Sequence, residues 1–340
     1  MSPDEPALFR RFPALAARIP RVPLVTSPTP VERMPRLEAM VGTKARLYVK
    51  RDDLTASPYG GNKPRKLEFL LGDARARRQR RLVTFGVAGS NHVRATAIYG
   101  RLHGFEVTAI LVPQPPDPRV GRNVQAIRAE GARVIAVPST AHAGAAAAIA
   151  VAWTLARTLR PPYVIPPGGS SPVGSLGYVS AGLELADQIA RGECPEPAAI
   201  FVAGGSNGTA AGLLVGLRLA GLRSRLVVVW VDDLLAVSPR AIASLANRIG
   251  RLIGRLGCPA PRVGPEDLTF LDGYIGRGFG WPTIAGGRAT AQLAEAHGLT
   301  LDPDFTSKTA AAFLDAAIGR SAPSSPLLYW HTYGGKAHTY

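Results

Sequence analysis

The chain has 340 residues, enough for two domains of about 150 residues each or one large α/β unit. Apolar residues make up 46% and aromatics only 7%, a mix that suits close-packed helices on a parallel sheet better than a β-sandwich. Cys194 and Cys258, with no CxxC and no Cys/His cluster, exclude a disulfide framework and a cysteine-type zinc site, and the net charge of +16 reads as a solvated Arg-rich surface because no nucleic-acid motif accompanies it.

The N-terminal MSPDEPALFRRF lacks the basic-then-apolar layout of a leader, so a cytoplasmic protein is expected. Residues 1–40 are Pro-rich and irregular. A strand is predicted over Ala45–Lys50, then the loop RDDLTASPYGGNK, then a helix from Pro64 to about Ala76. Proline suits the first helical turn, where its missing N–H is unneeded. The basic run Arg75–Arg81 falls where that helix should end, a place that favours cations. Strand and helix then alternate: RLVTFGV, a helix through Ala95–Leu102, FEVTAILV, a helix near Arg119–Glu130, and ARVIAV. The apolar run Ala143–Ala156 is shorter than the roughly 20 residues of a membrane span and is expected to be a buried helix. YVIP, a helix over about Tyr178–Arg191, AAIFVAG, a further helix and LVVVWVDD follow. Leu234–Leu268 reads as helical with irregular ends. This alternation predicts a parallel sheet covered on both faces.

Five segments carry polar chemistry. In GGNKPRKLEFL (residues 60–70) two glycines permit a tight turn, and Asn62 is placed to cap the helix. Lys63 then starts a helix, where the dipole helps keep an amine neutral, as Schiff-base chemistry requires. The bland alternative is that Lys63 and Lys66 form a solvated pair one turn apart. GVAGSNHVR (86–94) joins a strand end to a helix start, a common ligand position in α/β sheets. Ser90 and backbone N–H groups there can hold a carboxylate, or Ser90 and Asn91 simply cap the helix. AGGSNGTAAG (203–212) has the glycines and hydroxyls of an anion cradle. It matches neither GxGxxG nor GxxxxGK[ST]. A nicotinamide dehydrogenase, with Asp232 or Asp233 beyond this loop, would leave Lys63 unexplained. PPGGSSPVGSLGY (166–178) and LTLDPDFTSK (299–308) are Gly/Ser or capping sequences before helices, weak on their own. Asp302-Pro303 marks a turn in the latter.

In this order, KRDDLTASPYGGNKPRKLEFLLGDA, SNHVR, IPPGGSSPVGSLGY and LDPDFTSK resemble the 1-aminocyclopropane-1-carboxylate deaminase / D-cysteine desulfhydrase family, from about Pro23 to His331. The resemblance implies a tryptophan-synthase-β-like pyridoxal-phosphate fold: two α/β domains, each a mostly parallel sheet flanked by helices. Residues 1–66 and 176–340 would form the larger cofactor domain and 67–175 the smaller. It implies that Lys63 carries pyridoxal 5'-phosphate and acts as the base. Asn91 would bond the cofactor's ring oxygen, and Ser206, Asn207, Gly208 and Thr209 its phosphate. Thr306 would face the ring nitrogen, while Ser90, His92, Phe279 and Phe305 would meet the substrate. Departures lie on the substrate side. Gly89 stands where relatives commonly have Gln; Phe305 and Thr306 replace a Tyr-Glu pair of the deaminases; Phe279 replaces a second tyrosine; HTYGG carries an extra Tyr333. The expected activity is β-elimination from a small amino acid, giving a 2-oxo acid and ammonia, in a homodimer that engages neither nucleic acid nor membrane. Ring-opening deamination, β-replacement and a non-catalytic ligand-binding relative are the alternatives.

Overall fold

Glycine- and proline-bounded apolar strands alternate with longer helices through most of the chain. The computed structural model describes residues 5–319 and 326–334. Gly335 of the HTYGG segment, and the expected larger domain's residues 1–4, 320–325 and 336–340, lie outside the described residues. After short N-terminal helices, β1 (Val31–Arg33) and β2 (Leu47–Arg51) lead to α1 (Asn62–Ala76). Then come β3 (Arg81–Val87), α2 (Asn91–Leu102), β4 (Glu106–Val112), α3 (Pro118–Ala129), β5 (Arg133–Ala136), α4 (Thr140–Thr158) and β6 (Tyr163–Ile165). The second half runs α5 (Pro172–Ala190), β7 (Ala199–Gly204), α6 (Asn207–Leu219), β8 (Arg225–Trp230), α7 (Pro239–Gly254), β9 (Leu268–Leu271), α8 (Ile284–His297), α9 (Thr306–Ile318) and β10 (Leu327–His331).

Two principal sheets result. One has the order β5-β4-β3-β6 and is parallel throughout. The other has the order β1-β2-β10-β7-β8-β9 and is parallel except for the β1–β2 pair. The α/β reading therefore holds. Strands such as β2, β7 and β8 are almost wholly buried, as expected where helices cover both faces. Helices α5, α6 and α7 cover one face of the larger sheet, around Leu183, Leu213 and Ile249. Helices α8 and α9 cover the other, around Leu293 and Phe313.

The smaller sheet has its own core, to which α1 contributes Leu67, Leu70, Leu71 and Ala74. The same helix sends Phe69 into the larger core. The boundaries expected at 66/67 and 175/176 thus fall inside the unbroken helices α1 and α5, which pack on one another.

Two local expectations change. Asn62 does not cap α1. The N-cap is Gly61 at φ 87°, and the Asn62 amide donates to Thr209 Oγ1 at 3.3 Å instead. The Ala-rich helix α4 is not buried: only Thr154 is, while Ile149 is 69% exposed and Leu159, just past its end, 87%. Alanine side chains are apolar but small. They raise the hydropathy of a segment without supplying the surface that would drive its burial.

Candidate active site

The turn into α1 is fixed by backbone contacts that only glycine permits. A Cβ at Gly60 would lie 2.1 Å from the Asp53 carbonyl. Gly60–Gly61 pairs antiparallel with Tyr333–Gly334, and Asn62 N donates to the Thr332 carbonyl at 2.9 Å. Lys63 therefore starts α1 against the strand-like end of the described chain. Its side chain lines a cavity of about 410 Å³. Burial lowers its amine from the ordinary lysine value to about 8, against the opposing pull of Asp302 and Asp232. It has no hydrogen-bond partner among the described residues.

The C-terminal ends of β3, β7 and β8 bring the other segments to the same cavity, as expected for ligand sites in parallel sheets. Ser90 caps α2 by accepting from Val93 N, and its residue also lines the cavity. Asn91 Oδ1 accepts from the Tyr59 hydroxyl at 3.0 Å. His92 is buried, with Nε2 3.1 Å from Thr84 Oγ1 and Nδ1 without a partner. Burial, then the charges of Lys63 and Lys66, hold its pKa well below the histidine range.

Ser206 and Thr209, at the start of α6, line the cavity beside Gly168. Asn207 and Gly208 stand behind that lining. Asn207 Nδ2 donates to the Ala236 carbonyl at 3.1 Å, and Gly208 N donates to Ser170 Oγ at 3.1 Å. A Cβ at Gly208 would sit 2.8 Å from Ser170 Oγ and 3.1 Å from Lys66 Nζ. Lys66 is not a solvated neighbour of Lys63. It is fully buried, donates to the Gly168 carbonyl at 3.0 Å, and has its pKa driven well down by burial and by Lys63. The weak Gly/Ser segment 166–178 thus completes the cradle.

Phe279 and Phe305 both line the cavity, with ring centroids 5.4 Å apart. A Cβ at Gly205 would strike the Phe305 ring, so that ring lies against the approach to the cradle. Thr306 does not reach the cavity. It is buried at the start of α9, and its hydroxyl donates to Asp302 Oδ2 at 2.6 Å. Asp302 lines the cavity in its place, yet its carboxylate also accepts from the backbone N–H groups of Asp304, Phe305 and Thr306. These four donors match the roughly four acceptor sites of a carboxylate. Thr332, directly after β10, is also at the lining.

Four groups of the lining escaped sequence reasoning or were misread there. The sequence marks Asp302 only as a turn former. Asp232 stands out in the sequence only as a dinucleotide contact; burial pushes it up to about 6, helped by Asp233. Tyr59 and Thr332 sit beside segments that the sequence reading did single out, but nothing in their local pattern marks them. Lys66 was visible one turn after Lys63, without any sign that it would be buried.

A lysine amine held near neutrality, facing a cradle built on a helix N-terminus, is the equipment of an enzyme that binds an aldehyde cofactor bearing a phosphate. The chain belongs to the family described as "Pyridoxal-phosphate dependent enzyme", whose match spans residues 22–332. It is a pyridoxal-phosphate-dependent enzyme. It is 38% identical over 317 residues to nocardicin C-9' epimerase of Nocardia uniformis subsp. tsuyamanensis, covering 92% of each chain. It is 36% identical over 329 residues to D-cysteine desulfhydrase of Salmonella choleraesuis (strain SC-B67), covering 94% of this chain and 95% of that one. Among solved structures, an ACC deaminase homologue superposes with a TM-score of 0.80 at 31% identity, covering 98% of this chain and 95% of that one. O-ureido-L-serine synthase shares the fold, with a TM-score of 0.60 at 19% identity over 90% and 89% of the two chains.

Proposed function

We propose that the protein is a D-cysteine desulfhydrase-like lyase that eliminates a β-substituent from a small amino acid, giving a 2-oxo acid and ammonia. The observation that carries this reading is the Lys63 amine, without a partner among the described residues and with a pKa of about 8, in the cavity that also holds the anion cradle. The residues fit pyridoxal phosphate. The cradle at Ser206–Thr209 has no room for a side chain at Gly208, stands at the N-terminus of α6, and has the Lys66 amine behind it. Lys63 is assigned to carry the cofactor and Asn91 to bond its ring oxygen. Bound there, the cofactor supplies an electron sink for charge developing at Cα.

The chain's own residues then divide the work. Lys63 removes the Cα proton, a task suited to an amine whose pKa lies close to neutrality. Ser90 and the start of α2 orient the substrate carboxylate. Thr306 is occupied with Asp302, and Asp302 is saturated by its four donors. Thr332, which also lines the cavity, is assigned to the ring nitrogen. A hydroxyl, unlike a carboxylate, does not hold that nitrogen protonated. The sink is weaker, which favours substrates whose β-group departs easily.

Two measurements test the proposal. Borohydride reduction and peptide mapping should place the label on Lys63; a label on Lys66 overturns the assignment. Pyruvate formation from D-cysteine and β-chloro-D-alanine should exceed 2-oxobutyrate formation from 1-aminocyclopropane-1-carboxylate in kcat/KM. The reverse order overturns the elimination reading.

A second reading, epimerisation at Cα, is favoured by Asp232, a cavity-lining carboxylate with its pKa raised to about 6 and therefore able to exchange protons. The 38% identity to an epimerase points the same way. Solvent deuterium entering Cα of a substrate without a β-leaving group, with inversion, distinguishes it. We further propose two domains that share α1 and α5, a homodimer, and a cytoplasmic location. Among the described residues, no helix is long and apolar enough to cross a membrane.

A further inference from the structure

Cysteine reaches one heavy atom beyond Cβ, and the cavity extends further than such a side chain needs. The ionisable groups of its lining are Tyr59, Lys63, His92, Asp232, Asp302 and Tyr333. The lining at the end of β4, the first turn of α4 and the segment after β8 is of another kind. Past Thr140 and Asp232, it is formed there by Ile110, Val112, Ala143, Gly144, Leu234 and Leu235. None of these belongs to the lysine helix, the α2 start or the cradle. Leu234 is 44% exposed, and Leu235 is half-buried. Gly144 is exposed and lines the cavity, and a Cβ built on it meets nothing within 4 Å, so a side chain added at this edge strikes no packed neighbour. The phenylalanine pair Phe279–Phe305 adds a second apolar wall with no hydroxyl on either ring.

We infer that the side-chain subsite takes an apolar group larger than the thiol of cysteine. The substrate class is a β-substituted alanine whose leaving group is an alkyl or aryl thiol. This rests on the elimination reading above and specifies its substrate. Lys63 takes the Cα proton. The Cβ–S bond breaks, and sulfur leaves with the electron pair and picks up a proton as the free thiol. The released 2-aminoacrylate takes up water and yields pyruvate and ammonia. No oxidant or reductant is needed. The apolar lining acts on the group that departs, so its contribution is made before bond cleavage and ends with release of the thiol.

The test uses the holoenzyme and two readouts. The first is the change in cofactor absorbance on titration with the D- and L-series alanine, 2-aminobutyrate, norvaline and norleucine, none of which can eliminate. Kd should fall about fourfold per added methylene in one enantiomeric series, the value expected for burying a CH₂. The second is the ratio of kcat/KM for S-benzylcysteine over cysteine, expected to exceed tenfold. Gly144→Leu fills the open side of the recess on an exposed helix, where leucine is a better helix former than glycine, and should collapse that ratio. Leu235→Asn should lower it independently, which guards against a folding defect in either variant. If Kd is flat or rises with chain length while cysteine is still turned over, the inference fails and elimination stands. If no amino acid changes the spectrum and none yields pyruvate, both readings fail together.

Discussion

Lys63 and Lys66 lie one helical turn apart and are set apart by what surrounds them. Lys63 faces the cavity with Asp302 and Asp232 near enough to offset part of its desolvation, whereas Lys66 is buried with only a carbonyl for a partner. The sequence could place both at a helix start but could not separate them, because burial is a property of the whole packing. The difference predicts opposite effects for one substitution. The unfolded chain protonates Lys66 at the ordinary lysine pKa of 10.5 and the folded chain only well below it. Between those values the unfolded state holds more protons, so apoprotein stability rises with pH. Lys66→Met should remove that slope and raise the apoprotein Tm at pH 7, while weakening cofactor binding roughly tenfold, a ~1.4 kcal/mol loss. Thermal unfolding of apo and holo forms, with cofactor titration, checks both signs.

Glu68 is a second case on the same helix. Burial raises its carboxyl from 4.5 to about 7, against the charge of Arg21 and the Leu24 and Val25 N–H groups. The folded state keeps a proton that the unfolded state has already lost, so stability falls as pH rises from 4.5 to 7. The full difference is on the order of 3 kcal/mol. Glu68→Gln should flatten the decline in denaturant midpoint across that window.

At the scale of elements, the parts of the site that were legible are those where glycine and hydroxyl residues punctuate a strand-to-helix junction. The starts of α2 and α6 and the Gly60–Gly61 turn were found this way, since their chemistry is local. The central strand β10 was not: its five residues LLYWH carry no alternation, being buried on both faces, and its register against β2 and β7 is set by long-range pairing. Thr332 follows that strand, so its place in the cavity was invisible too, whereas Tyr333, flagged on the substrate side, does line it. The N-terminus of α6 supplies the sharpest test at this scale. Thr209 Oγ1 accepts from the Asn62 amide and lines the cavity, linking the cradle to the lysine turn. Thr209→Val keeps the shape and removes the hydroxyl. Cofactor affinity should drop by ten- to a hundredfold, corresponding to about 1.5–3 kcal/mol for a hydrogen bond to a charged group. Apoprotein stability should change by less than about 1 kcal/mol, because the hydroxyl's one internal bond is long.

Across the whole molecule, distant parts of the chain meet in one buried ionic cluster behind the lysine turn. Arg65 reaches Asp52 at 2.8 Å and Glu184 at 3.0 Å, and Lys50 Nζ reaches Glu184 at 2.6 Å. Tyr178 and Trp330 each donate to Asp52 at 2.8 Å, and Gln188 accepts from Lys50 at 2.6 Å. The cluster therefore ties β2, α1, α5 and β10 together two residues from Lys63. Two cations face two carboxylates, and each polar atom that the geometry brings inward finds a partner. Burial alone would raise the Glu184 pKa; Arg65 and Lys50 outweigh it and hold the carboxyl well below its ordinary value. The stabilisation this gives is present above the unfolded value of 4.5 and is lost as pH falls through the folded one. Glu184→Gln leaves Lys50 and Arg65 sharing Asp52, an uncompensated buried charge that should cost about 3–5 kcal/mol at pH 7. Its loss of stability on acidification should be shallower than that of the wild type. Adding Lys50→Met restores one cation to one carboxylate, so the double variant should recover part of the loss rather than add to it. Chemical denaturation of the single and double variants at pH 7 and pH 4 reads both effects. Strictly additive losses would mean that the four groups do not act as a unit, and that α1 is held in place by its apolar packing alone.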